Sequence, residues 1–202
     1  MFKKGSFFIA ILFLAILLTA CSSRGMDQAI SITADDIPEE PQKEETITAI
    51  QTATSDDIDT MIEAHFPLIE TVTRDSDRAE IYATKEFQLQ ELASVLSSTI
   101  KPEEISEVKD NQQILIYPDD FITLRESDID QDVLMIEVAS DEFVRRNYSP
   151  SFLSTYFSIR LLESMLGVNN WGSGSRGDYR GMGDTPNRGS TTFRGGGPGT
   201  GK

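Results

Sequence analysis

The chain has 202 residues, with 33 acidic against 18 basic side chains, one histidine, one cysteine and a formal net charge of −15. That excess of negative charge excludes nucleic-acid binding through phosphates. A single cysteine excludes an intramolecular disulfide, and one histidine with no spare cysteine excludes the usual zinc site.

The N-terminal residues divide into three parts. Lys3 and Lys4 are basic, Phe7 to Leu18 is almost wholly apolar, and Thr19-Ala20 place small residues before Cys21. This is the layout of a secretory signal, and its apolar core of about 12 residues falls short of the roughly 20 that span a bilayer. Leu18-Thr19-Ala20-Cys21 resembles the bacterial lipobox, a leucine three residues before a cysteine with small residues between. An uncleaved N-terminal membrane anchor is the competing reading, and it leaves that motif unexplained. Cleavage before Cys21 would free its sulfur to carry diacylglycerol, which accounts for the lone thiol. Two or more acyl chains give stable anchoring where one gives only marginal binding. The expected location is the outer face of the cell membrane, with the membrane itself as first partner through lipid on Cys21.

Loss of the signal residues 1–20 removes Lys3 and Lys4, leaving 16 basic and 33 acidic residues and a net charge near −17. Residues 21–55 are polar and acidic, with Pro38, Pro41 and the pairs Asp35-Asp36, Glu39-Glu40 and Glu44-Glu45. They read as a disordered spacer kept extended by like-charge repulsion. A short strand at Ile47 to Ile50 is the only element this stretch offers, and it is not assigned.

Residues 56–167 carry the apolar periodicity of a single α+β domain. Asp56-Asp57 can cap a helix whose face is Ile58, Met61, Ile62 and Phe66, ended by Pro67. Leu68 to Thr73 and Ala79 to Ala83 read as a hairpin around Arg74-Asp75-Ser76-Asp77. A helix from Lys85 to Thr99 buries Phe87, Leu89, Leu92, Val95 and Leu96, and Pro102 opens a short helical turn with Ile105 and Val108. Gln113 to Tyr117, Phe121 to Arg125 and Val133 to Val138 read as strands. A short helix at Asp141 to Arg146 and a long one at Ser151 to Leu166 complete the domain. The last is apolar all round apart from a Ser/Thr stripe at 151, 154, 155 and 158, which marks it as central to the core or as a surface for a partner. Strand pairs interleaved with helices imply a small, mainly antiparallel sheet with packed helices.

Residues 168–202 form a Gly/Arg-rich tail. From Gly167 to Lys202 there are 12 glycines in 36 residues, with five basic and two acidic side chains. Such a segment buries too little apolar surface to offset its ordering entropy. Arg176, Arg180, Arg188 and Arg194 are its candidate contacts to a polyanion, against the plainer reading of a solvated end.

Most motifs with a chemical look fail on their context. Gly172, Gly174 and Gly177 spell G-x-G-x-x-G but follow a helix instead of a strand. Asp128, Asp130 and Asp132 open like a calcium loop, yet Val133 and Ala139 stand where the glycine and glutamate belong. Ser106 and Lys109 fit S-x-x-K without its companion motifs. His65 lies beside Ile58, Met61 and Ile62 on its helix, the place of a packed or rim histidine. No cofactor is called for.

Several stretches carry a family likeness: Lys101 to Glu107 with Gln113 to Tyr117, Ile136 to Ser140 with Asp141 to Tyr148, and the tail Phe193 to Lys202. On these the chain resembles uncharacterised lipoproteins of Gram-positive bacteria, grouped as a domain of unknown function. The resemblance implies an accessory role in the cell envelope and carries no catalytic residues with it. The expected function is therefore non-enzymatic binding of an envelope protein or an anionic wall polymer. The alternative is a surface hydrolase or transferase using carboxylates such as Asp119, Asp120 or Glu137.

Overall fold

A computed structural model describes residues 32–74, 76–173 and 177–182. Six strands form one antiparallel sheet: β1 Leu68–Arg74, β2 Asp77–Thr84, β3 Glu104–Ile105, β4 Gln112–Ile116, β5 Asp120–Glu126 and β6 Leu134–Ser140, in the order β1-β2-β6-β5-β4-β3. Six α-helices accompany it: α1 Lys43–Thr52, α2 Ile58–His65, α3 Leu89–Thr99, α4 Asp141–Asn147, α5 Pro150–Leu153 and α6 Ile159–Met165. The expected α+β class is the class observed.

Side chains alternate across each strand, and here both faces of the sheet are covered. Tyr82, Leu115, Ile122, Leu124, Ile136 and Val138 pack under α1, α2 and α3. On the other face Ala79, Ile114, Ile116, Phe121 and Ala139 meet α4, α5, α6 and Trp171. Burial on both sides explains why β6 is a continuous apolar run broken only by Glu137, where one-sided antiparallel strands alternate.

Local chemistry sets the element ends. The Asp57 carboxylate accepts from the N–H groups of Asp59 and Thr60 and starts α2. Asp110 and Asn111 both have positive φ, at 52° and 55°, between Lys109 and Gln112, which exchange two backbone hydrogen bonds. This is the two-residue primed turn that suits the twist of antiparallel strands.

Four expectations need correcting. The folded unit extends beyond 56–167: within the stretch expected to be a spacer, 43–52 is helix α1, with Ile50 fully buried and Lys43 paired to Glu91 of α3 at 3.0 Å. Ile32 and Ile37 are also buried, beside Ile81 and Met135. Beyond residue 167, Trp171, Tyr179 and Met182 are buried too, so part of the expected tail packs on the domain. The helix expected at Lys85 begins at Leu89, because the Thr84 hydroxyl takes the Glu86 N–H and bends the chain at 85–86 ahead of it. Pro102 to Val108 holds the two-residue edge strand β3 instead of a helical turn, since Glu103 and Ser106 donate to Ile116 and Ile114 of β4. Finally, 151–166 is broken into α5 and α6. The Ser154 and Thr155 hydroxyls bond back to the Ser151 and Phe152 carbonyls, and Ser158 caps a new helix through the Leu161 N–H. The polar stripe marks the break, where hydroxyls compete for backbone groups.

Candidate functional site

Where β5 begins and α2 starts, the fold leaves an acidic cleft of about 330 Å³. Asp120 opens β5 opposite Ser140, on the face of Ile122 and Leu124. Glu80 lies opposite Val138 on that same face, and Asp59 comes from the first turn of α2. Asp77, Arg78 and Glu142 complete the wall. Three of the acids are engaged. Glu80 accepts from the Tyr82 hydroxyl at 2.8 Å and pairs with Arg78 at 3.2 Å. Asp77 pairs with Arg146 at 3.2 Å, and Glu142 with the same arginine. Asp59 and Asp120 make no ion pair among the described residues.

That arrangement raises both unpaired acids. Burial pushes Asp120 up to about 7, reinforced by the negative charges of Asp59, Asp57, Asp119 and Asp141. Asp59 is raised by burial, then by Glu80, Asp57 and Glu63, with Arg78 opposing. Asp120 is thus shared between its charged and neutral forms near neutral pH, beside a second carboxyl in an open cleft. Such a pair can receive a cation or pass a proton.

Glu137 occupies a different setting. It lies on β6 between Ile81 of β2 and Thr123 of β5, fully buried on the face opposite Asp120. Its Oε1 accepts from the Tyr179 hydroxyl at 2.7 Å and its Oε2 from the Met182 N–H at 3.0 Å. Both donors belong to a strap, residues 177–182, which crosses the sheet face. The strap docks by backbone: Tyr179 donates to Asn147 at 3.0 Å and accepts from Ser149 at 2.8 Å. Gly177 lies against Asn147, where an added Cβ would stand 1.7 Å from the carbonyl oxygen, and Gly181 has φ +81°. These two glycines serve close approach and a left-handed turn. Arg74 pairs with Asp178 at 2.7 Å and sits over the Tyr179 ring. Burial raises the Glu137 carboxyl, while its hydrogen bonds from Tyr179 and Met182 oppose the rise.

The other expected sites fall as follows. Asp119 is exposed, and its carbonyl accepts from the Asp141 N–H at 2.9 Å. His65 places Nδ1 2.8 Å from the Met61 carbonyl at the end of α2, a rim position. Asp128 pairs with Arg125, and Asp130 accepts from the Ala34 and Asp132 N–H groups, so these acids serve separate internal contacts. Ser106 is buried and accepts from the Ile114 N–H, a sheet contact. Arg180 is exposed on the strap. Cys21, Arg176, Arg188 and Arg194 lie outside the described residues. Among those described, no group of acids, histidines or cysteines is arranged to hold a metal ion. A hollow of about 730 Å³ beside the start of α3 has Lys43 and Lys85 on its wall, countered by Glu86, Glu126 and Asp132. It focuses no charge of one sign.

Sequence reasoning named Asp120 and Glu137 but missed Asp59, Tyr179 and Met182. Asp59 was visible only as a first-turn acid of a predicted helix. Tyr179 is an aromatic inside a glycine-rich stretch, and with Trp171 it is a signal there of a packed segment.

A family model described as a domain of unknown function (DUF4247) matches residues 46–202. The chain belongs to this family. The match begins inside α1 and runs through the strap to the last residue, so the cleft, Glu137 and the tail all fall within the family's shared sequence. No curated protein and no solved structure matches the chain.

Proposed function

We propose that the protein is an extracytoplasmic lipoprotein, anchored through lipid on Cys21, whose folded unit binds a partner protein by taking a basic side chain into the acidic cleft. The observation that carries this reading is the pair Asp59 and Asp120, partly buried and unpaired among the described residues. The Asp59 charge raises the energy of ionised Asp120, and Glu80, Asp57 and Glu63 do the same to Asp59. A lysine or arginine entering the cleft would relieve that repulsion, so part of its affinity is already stored in the fold. Among the described residues no helix is long and apolar enough to cross a membrane, and the lipid on Cys21 is the attachment proposed. The tail arginines Arg176, Arg180, Arg188 and Arg194 are proposed as a second contact, to an anionic wall polymer. Their contribution would fade as salt shortens the Debye length from about 10 Å at 0.1 M to about 3 Å at 1 M.

Acid–base chemistry is the second reading, favoured by the position of Asp120 near neutrality beside another carboxyl. The two separate in a crosslinking capture from intact membranes, comparing the parent with Asp120→Asn. Binding expects a basic partner whose recovery falls several-fold in the variant. Catalysis expects the variant to retain or accumulate the captured species, because substrate still binds and is no longer turned over. Cys21→Ala serves as the anchoring control and is expected to abolish lipid labelling. A mutant that still labels and stays in the membrane fraction would remove the anchor from the account.

A further inference from the structure

The Glu137 environment fits a carboxylic acid better than a carboxylate. Its two oxygens already receive the Tyr179 hydroxyl and the Met182 N–H. The ionisable groups facing it are Tyr179 on the strap, Tyr148 after α4 and Arg125 on β5, and among the described residues Glu137 makes no ion pair. Arg74 is turned to Asp178 and the Tyr179 ring. A buried, unpaired carboxylate is costly to keep ionised.

Tyr148 borders the same carboxyl. Its hydroxyl is buried and has no well-aligned hydrogen bond, and the same holds for the neighbouring Thr123 hydroxyl. Both Glu137 Oε2 and Tyr148 Oη lie close to Gly181, at 3.3 and 3.8 Å from where its Cβ would be. A proton on Oε2 can be donated to Tyr148 Oη, which frees the Tyr148 hydrogen for Thr123. In the ionised form Tyr148 would donate to Glu137 and Thr123 to Tyr148, so the hydroxyls suit either form, and it is the full burial of Glu137 with no ion pair among the described residues that favours the proton.

We propose that Glu137 holds a proton in the folded protein and that this proton latches the strap of residues 177–182 onto the sheet. With the strap lifted, Glu137 meets water and returns toward the ordinary value of 4.5. Seating is therefore complete below about pH 4.5 and weakens as pH rises above it, by up to about tenfold per unit, until the seated carboxyl ionises. The latch does not depend on what the acidic cleft binds.

The test uses the mature full chain. Hydrogen-exchange protection factors of the Tyr179 and Met182 amides, followed from about pH 5 to about pH 9, should fall with rising pH in the parent. In Glu137→Gln, a neutral isostere, they should stay level. An infrared difference spectrum between parent and Glu137→Gln at pH 7 should show the carbonyl stretch of a protonated carboxyl group. An ionised Glu137 at pH 7, or the same pH dependence in both proteins, would overturn the latch. If Glu137→Gln fails to fold, the parent's spectrum after isotope labelling of its glutamates decides the protonation state.

Discussion

Asp120 and Glu137 are carboxyl groups on neighbouring strands, both raised above their ordinary values, yet they face opposite sides of one sheet. Asp120 sits in an open cleft among other acids and makes no ion pair among the described residues. Glu137 is sealed, and each of its oxygens accepts from a donor supplied by the same chain. Burial raises both, but what accompanies it differs. Like charges add to the effect at Asp120, while hydrogen bonds offset it at Glu137. A raised carboxyl therefore marks a functional site only where its partner is missing and solvent can reach it. Glu137 has its partners within the chain, whereas Asp120 has no ion pair among the described residues, and the proposed partner contact rests on that difference.

Removing each side chain should separate the two roles. Glu137→Ala orphans the Tyr179 hydroxyl and the Met182 N–H and leaves a void, so it should cost about 3 kcal/mol in chemical denaturation. Asp120→Ala should cost little, because it removes repulsion along with the side chain. Equal losses at the two positions would erase the distinction. Gly177→Ala comes next, at about 1–3 kcal/mol, since its Cβ would overlap the Asn147 carbonyl and displace the strap. Loss of near-ultraviolet dichroism from the Tyr179 environment should accompany it, with the far-ultraviolet spectrum intact. An unchanged Tm would mean that the strap adds nothing to the fold.

The smallest effect is a change of slope with pH. The Asp120 carboxyl is raised from 3.8 to about 7. Its contribution to stability is present in full below about pH 3.8 and is lost as pH rises to about 7. Asp120→Asn cannot ionise. The fall in Tm between pH 5 and pH 8 should be smaller in the variant than in the parent, and an identical fall would show that Asp120 titrates normally.

Much of the sheet was legible because its strands are local apolar runs bounded by turn residues, as in Gln112–Ile116 before Pro118-Asp119-Asp120. Helix α1 was not. Its apolar face is little more than Ile47 and Ile50 among acids, and its place is fixed by α3, nearly forty residues away in sequence. The break at Ser154 shows only as a polar stripe on what reads as one long helix, central to the core or a surface for a partner, since hydropathy does not tell a solvated face from hydroxyls turned back on the chain. The strap was hidden by composition: glycine at 177 and 181 is a steric requirement, whereas glycine counting reads it as freedom. Glu137 showed itself as a charge inside the run Leu134 to Val138, a signature of a buried acid. Only the fold could say whether that acid was partnered.

The most direct measurement of the central claim is a carbon-13 titration of the Asp120 carboxyl in residues 21–202, alone and as Asp59→Asn. We expect a midpoint near 7 in the parent, in line with the burial and crowding of that carboxyl. It should move down in the variant, since one of the negative charges that raise it is gone. A midpoint near the ordinary 3.8, or one that ignores Asp59, would contradict the proposal that crowded acids prepare Asp120 for a cationic partner.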